Sequence, residues 1–213
     1  GYEDAAQEVI DYIKDREIDL TLSGQKYGEN RLARYSQKIA AQAESDILFV
    51  TQDTEGLEDP VLCAIDFSNA SVKAFELALD VSRACGGELI CYFVSDPARA
   101  YFPATTDRST SRDQQQSKKA FEQFLKHYDL TPDQVSFRIE INDQINNTAE
   151  RIYEAAVEEE AGLIIAGAMG ETSRVTSLLG NICESFRLMK KEIPVMIVKH
   201  ESKKKFPWFW KES

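Results

Sequence analysis

The chain has 213 residues, 43% of them hydrophobic, which is enough for one large domain, or one and a half ordinary ones, around a sizeable core. Acidic residues outnumber basic ones 36 to 25, and the resulting formal charge of −11 excludes a nucleic-acid partner, because phosphate backbones are held through a Lys/Arg surplus. No run approaches the roughly 20 apolar residues that cross a bilayer, and no signal peptide is visible, so a soluble cytoplasmic protein is expected.

In chain order, Ala6 to Lys14 carries Val9, Ile10 and Ile13 at helical spacing, and Ile18-Asp-Leu-Thr-Leu-Ser-Gly24 reads as a strand. A second helix is predicted from about Asn30 to Ala43, leading to the apolar run Ile47-Leu-Phe-Val50. Val61-Leu-Cys-Ala-Ile65 then forms a fully apolar run ending at Asp66, as a central parallel strand does. Ser68-Asn69 caps a helix whose apolar face is Val72, Phe75, Leu77, Ala78 and Val81, and Gly86-Gly87 stops it. Leu89 to Val94 is the next strand. The polar stretch from Ser95 to about Gln114 reads as a loop, either a flap near a site or a surface excursion. A helix from about Gln115 to Tyr128 follows, then an alternating strand, Val135 to Ile139. Thr148 to Glu159 is helical, Leu163 to Ala166 is a buried strand, and Pro194-Val-Met-Ile-Val198 is the last one. The four cysteines, Cys63, Cys85, Cys91 and Cys183, form no Cys-x-x-Cys pair and read as reduced core residues.

Repeated β-α units of this kind predict an α/β fold: a Rossmann-like, five-stranded parallel sheet with helices on both faces. Ligands of such sheets lie at the carboxyl ends of the strands, where Asp66 and Gly167 both fall. The segment Gly167-Ala-Met-Gly170-Glu-Thr-Ser-Arg-Val-Thr-Ser-Leu-Leu-Gly180-Asn181 leaves a buried strand and enters the amphipathic stretch Ile182 to Met189. Backbone amides in such a glycine-punctuated loop, together with the positive end of a helix, make an anion site, and a nucleotide is the ligand expected.

These residues resemble the universal stress protein family. Its phosphate motif is Gly, two residues, Gly, nine residues, Gly, then Ser, Thr or Asn, and Gly167, Gly170, Gly180 and Asn181 fit that spacing. Ile65-Asp66-Phe-Ser68 matches the end of the family's first strand, and Pro194 to Val198 matches its last strand; the likeness covers about residues 60 to 199. For the ATP-binding branch the resemblance implies that Asp66 helps hold the nucleoside and that the Gly/Asn loop holds the phosphates. It also implies that Val94 meets adenine through its backbone, with Mg²⁺ accompanying ATP. One departure is Asn142-Asp143-Gln144, where the family often has a Gly-Asp-Pro-like turn; Asn tolerates positive φ, so the turn can survive.

Residues 1 to 55 look like a degenerate second half of the same domain, ahead of a complete domain at 56 to 200 and a basic-aromatic tail at 201 to 213. Helix, strand, helix and strand recur there in the order of residues 148 to 198. Gly24-Gln-Lys-Tyr-Gly28 has three intervening residues, and no Gly-Ser/Thr/Asn follows where the second glycine pair should fall, so that phosphate loop is expected to be dead. Ile47 to Val50 is expected to pair with Val195 to Val198, as family members dimerise through their last strands, giving a homodimer or a pseudo-dimer. On this reading the chain is a fragment of a longer tandem protein.

Arg174 and Ser177 stand within reach of a phosphate or on a solvated loop. His127 and His200 lie in unlike contexts, so a His-based metal site is not expected; there is no Walker-type Gly-Lys-Ser/Thr loop and no defensible Ser/His/Asp order. Slow ATP turnover stays open, without a base to name. Lys203, Lys204, Lys205, Phe206, Trp208 and Trp210 would suit a membrane surface or a protein groove, or fold back onto the domain. The expected function is therefore an ATP-binding regulatory or stress-response module. The alternative is a nucleotide-independent interaction domain of a tandem protein or membrane transporter.

Overall fold

The computed structural model describes residues 2–24, 30–50, 60–95, 108–141, 148–168 and 193–199. The leading segment folds as α1 (Tyr2–Asp15), β1 (Leu20–Gly24), α2 (Asn30–Gln42) and β2 (Asp46–Val50). Ala6, Ile10 and Ile13 recur at helical spacing, so they share the face of α1 that is buried, as do Ile39, Ala40 and Ala43 at the end of α2. The remainder runs β3 (Val61–Ala64), α3 (Asn69–Cys85), β4 (Leu89–Ser95), α4 (Arg108–Lys126), β5 (Ser136–Ile141), α5 (Thr148–Glu158), β6 (Leu163–Gly167) and β7 (Val195–Val198).

The ends of α3 follow from its sequence. Ser68 sits at the N-cap in an extended conformation with its side chain accepting from the Ser71 N–H, and Gly86 closes the helix at φ 72°, with its N–H on the Ser82 carbonyl. α4 starts at Arg108, earlier than the Gln115 expected. Arg108 to Gln116 contains no apolar residue, so hydrophobic periodicity could not register those turns. The loop expected to reach Gln114 therefore ends by Arg108, and residues 96–107 lie outside the described residues. β5 extends to Ile141, past the Ile139 expected from alternation.

All seven strands join one sheet in the order β1-β2-β7-β6-β3-β4-β5. Every neighbouring pair is parallel except β2 and β7, which run antiparallel with Ile47 opposite Ile197, Leu48 opposite Met196 and Phe49 opposite Val195. The two apolar runs matched in the sequence thus meet within the one chain. The five parallel strands of residues 61–198 are the expected Rossmann-like sheet, and β1 and β2 enlarge it to seven.

Both faces are covered, as the near-continuous apolar strands require. One core packs α1, α2 and α5 against Ile47, Phe49, Leu62, Ile164, Val195 and Ile197. The other packs α3 and α4 against Val61, Cys63, Cys91, Leu163, Ile165 and Val198. Phe75, Phe121 and Phe124 anchor the second core, with ring centroids of Phe75 and Phe124 4.7 Å apart, edge to face. Each such ring removed from water contributes about 1.5–3 kcal/mol. Cover on this second face reaches β3, β6 and β7 through α3, and at β1 Leu20 and Leu22 stay 40% and 62% exposed. Cys63, Cys85 and Cys91 are free thiols, with Cys63 and Cys91 buried side by side on β3 and β4. Among the described residues no helix is long and apolar enough to cross a membrane.

Candidate functional site

The strand order reverses at β3. From β3 the chain moves outward through β4 to β5, then returns by α5, on the opposite face, to place β6 on the other side of β3. A crevice opens at such a switch point, outside the carboxyl ends of the two central strands. Asp66 follows β3 and Gly167 ends β6; the register pairs Ala64 with Ala166, which brings those two ends side by side.

The turn after β3 is tightly specified. The Ser68 N–H donates to Asp66 Oδ1 at 2.9 Å, and the Asp66 N–H donates to Ser71 Oγ at 3.2 Å. Ser71 Oγ donates in turn to the Ser68 carbonyl at 3.1 Å, and the Ser71 N–H to Ser68 Oγ at 3.3 Å. Phe67 stands between them at φ 60°, a left-handed conformation that is costly for a bulky side chain. Its ring lies 5.7 Å from Phe93 and 5.8 Å from Phe124, over the α3–α4 core, so the contacts of the ring offset the backbone cost. Asp66 itself is exposed, with Oδ1 engaged in the turn.

Gly167 approaches the start of α3 so closely that a Cβ there would sit 2.4 Å from the Ala70 carbonyl carbon, 2.6 Å from its oxygen and 2.7 Å from the Ser71 nitrogen. These are backbone atoms at a helix terminus, which shift only at a cost, so the position favours glycine. β6 is thereby seated against the helix that carries the Asp66 turn. On the opposite side of the sheet, Ala64, Val94 and Ala168 are partly buried against the α5-side core, an apolar floor formed by the ends of β3, β4 and β6.

Beneath Val94, Tyr92 donates its hydroxyl to the Glu140 carboxylate, which also takes Arg151 from α5 at 3.4 Å. Burial, reinforced by the Glu140 charge, holds the Tyr92 phenol well above its usual range, so it stays a neutral donor. The cluster ties β4, β5 and α5 together below the floor.

Asp66, just after β3, thus stands beside Gly167 at the end of β6, and Val94 lies near the end of the adjoining β4. Gly170, Gly180 and Asn181 lie outside the described residues, as do Arg174, Ser177, the Asn142–Gln144 turn, Cys183 and the tail with Lys203, Lys204, Lys205, Phe206, Trp208 and Trp210. Sequence reasoning missed Ser71, because a lone serine inside an apolar helix face reads as a tolerated small residue. It missed Phe67 because nothing in an aromatic side chain signals positive φ. Among the described residues no group of three or more His, Cys, Asp or Glu side chains could hold a metal.

The fold is shared with solved proteins. A universal stress protein from Archaeoglobus fulgidus DSM 4304 is similar at a TM-score of 0.59 and 19% identity, over 92% of this chain and 66% of that one. A protein of unknown function from Pseudomonas aeruginosa PAO1 is similar at a TM-score of 0.63 and 16% identity, over 91% and 67%. This chain spans about two thirds of the length of either. At these identities the likeness is one of fold. No curated protein matches the sequence. The universal stress protein family matches residues 58–199, more than half of the chain, over the segment that carries Asp66, the floor and the glycine loop. The chain belongs to the universal stress protein family.

Proposed function

We propose that this universal stress protein module acts in regulation by binding a nucleotide, ATP, at the crevice between the ends of β3 and β6. The observation that carries the reading is the meeting of Asp66 and Gly167 at the switch point, with Gly167 pressed on the backbone of α3. Asp66 takes the nucleoside, Val94 offers its backbone to the base, and Ala64 and Ala168 supply apolar contact. Gly167, Gly170, Gly180 and Asn181, in the family's spacing, take the phosphates. Mg²⁺ would arrive on the triphosphate, which is how that ion is commonly held when the protein supplies few carboxylates. The chain's own residues bind and orient the nucleotide.

Residues 1–55 serve as a degenerate partner half-domain, fused to a complete domain at 56–200. In support, β1 and β2 pair in parallel as β6 and β7 do, and α1, α2 and α5 cover the same face. Gly24 ends β1 as Gly167 ends β6, yet a Cβ on Gly24 would meet nothing within 4 Å. Because β2 occupies the edge of β7, the pseudo-dimer of the two halves takes the place of a homodimer through the last strand. A cytoplasmic location and a lipid- or protein-binding role for the 203–210 tail belong to this same proposal.

The test is calorimetric titration of the purified protein with ATP and Mg²⁺, after mass spectrometry of small molecules released on denaturation. Saturable binding in wild type, at least tenfold weaker in Asp66→Ala and abolished in Gly170→Asp and Gly180→Asp, is the expected result. No bound nucleotide and no heat of binding in wild type would sink the reading.

A further inference from the structure

Resting on that reading, we propose that Ser71 is a positioning residue for the nucleotide: its buried hydroxyl locks the turn that aims the Asp66 carboxylate, and it acts on the ligand only through Asp66. Ser71 is 4% exposed, one of few buried polar side chains on α3. A buried hydroxyl is costly unless it is hydrogen-bonded, and it offers one donor and two acceptor sites. Ser71 meets that demand by spanning the turn: it accepts from the Asp66 N–H at 3.2 Å and donates to the Ser68 carbonyl at 3.1 Å. Ser68 then returns two more links, donating its N–H to Asp66 Oδ1 and accepting the Ser71 N–H on its own hydroxyl. The four hydrogen bonds form a closed circuit through Asp66, Ser68 and Ser71.

Two independent features mark this circuit as more than a helix cap. A cap needs only Ser68, whose side chain already takes the Ser71 N–H and whose carbonyl already accepts the Val72 N–H at 2.9 Å. The bond from the Asp66 amide to Ser71 adds nothing to the cap and fixes the residue that precedes it. Secondly, the chain accepts a left-handed Phe67 at this point, between Asp66 and Ser68, and holds it with two ring contacts. Backbone strain that persists must be over-determined by its surroundings, and it concentrates where a site is pre-organised. Here the left-handed residue turns the apolar ring inward to the α3–α4 core while Asp66 stays exposed at the crevice. Gly167 completes the device. Its missing Cβ lets β6 lie 2.4–2.7 Å, measured from the position a Cβ would take, from Ala70 and the Ser71 nitrogen, so the Ser71 backbone also lies against Gly167.

The experiment is a double-mutant cycle on ATP affinity using Ser71→Ala, Asp66→Ala and the double variant, each checked by its melting transition. Ser71→Ala should weaken ATP binding roughly three- to tenfold, about what one hydrogen bond is worth. In the Asp66→Ala background the same change should weaken binding less than about 1.5-fold, because there is no carboxylate left to aim. Amide exchange gives a second readout. The Asp66 N–H should exchange at least tenfold faster in Ser71→Ala, with or without ATP, while amides in the middle of α3 keep their protection. A merely structural serine would instead loosen the whole helix and weaken binding equally in both backgrounds. Additive losses, or an Asp66 amide as protected in Ser71→Ala as in wild type, overturn the positioning role and leave the nucleotide reading standing. Absence of ATP binding by the wild-type protein overturns both.

Discussion

At the scale of single residues, Gly167 and Asp66 make different demands on the chain. Gly167 is required by contact: any side chain there collides with the Ala70 carbonyl and the Ser71 nitrogen. Gly167→Ala is therefore expected to destabilise the fold by about 1–3 kcal/mol, the range of overpacking in a filled core, and to separate β6 from α3. Urea unfolding with an unchanged denaturant slope checks it, and a variant as stable as wild type would show that the helix start yields. Asp66, by contrast, is exposed, and the role proposed for it is toward a ligand outside the fold. Its exposure, with one oxygen engaged in the turn, left its place at a strand end fully legible in the sequence. Ser71 and Phe67 were not legible, since the role of each is defined by a bond or a dihedral angle that composition does not encode.

At the scale of elements, the helices and strands follow local rules closely. α3 shows the pattern best, with Ser68 at one end, Gly86 at the other, and an apolar face between. A Cβ on Gly86 meets nothing within 4 Å, so Gly86→Ala isolates the cost of φ 72° and should lower stability by about 1–2 kcal/mol. Thermal melting of that variant is the measurement; no loss would mean that the C-cap relaxes into a right-handed conformation. The start of α4 was hidden because a polar sequence carries no periodicity to read, while the buried strands announced themselves by unbroken apolar runs.

At the scale of the whole molecule, the seam between β2 and β7 joins the leading segment to the rest. Phe49 and Ile47 from one side and Val195 and Ile197 from the other lie in the same core. At the end of the seam the Lys199 N–H donates to Asp46 Oδ1 at 2.8 Å and its ammonium donates to the Ala43 carbonyl. Burial pushes the Lys199 pKa down to about 8, with the Asp46 carboxylate opposing the shift. The unfolded chain holds this proton up to its ordinary value of 10.5, so between about pH 8 and 10.5 the unfolded state binds more protons and stability rises with pH. Between pH 7.5 and 9.5, wild type should gain on Lys199→Met by about 1 kcal/mol in urea unfolding, a figure reduced because the ammonium keeps part of its solvent. Equal pH dependence in the two proteins would place the ammonium in water, away from the seam.

By itself the sequence determined the α/β class, the order and type of nearly every element, the strand-end position of Asp66 and the glycine spacing that carries the family resemblance. All of these are local quantities, set by the period of apolar residues, by capping side chains and by the spacing of glycines. Only the tertiary structure decided that seven strands share one sheet, that the pairing expected between β2 and β7 is antiparallel and made within one chain, and that Gly167 rests on the helix start that follows Asp66. Those relations join residues far apart in the chain. They are settled by which apolar faces can be buried against one another, and the pattern within any one segment does not specify that.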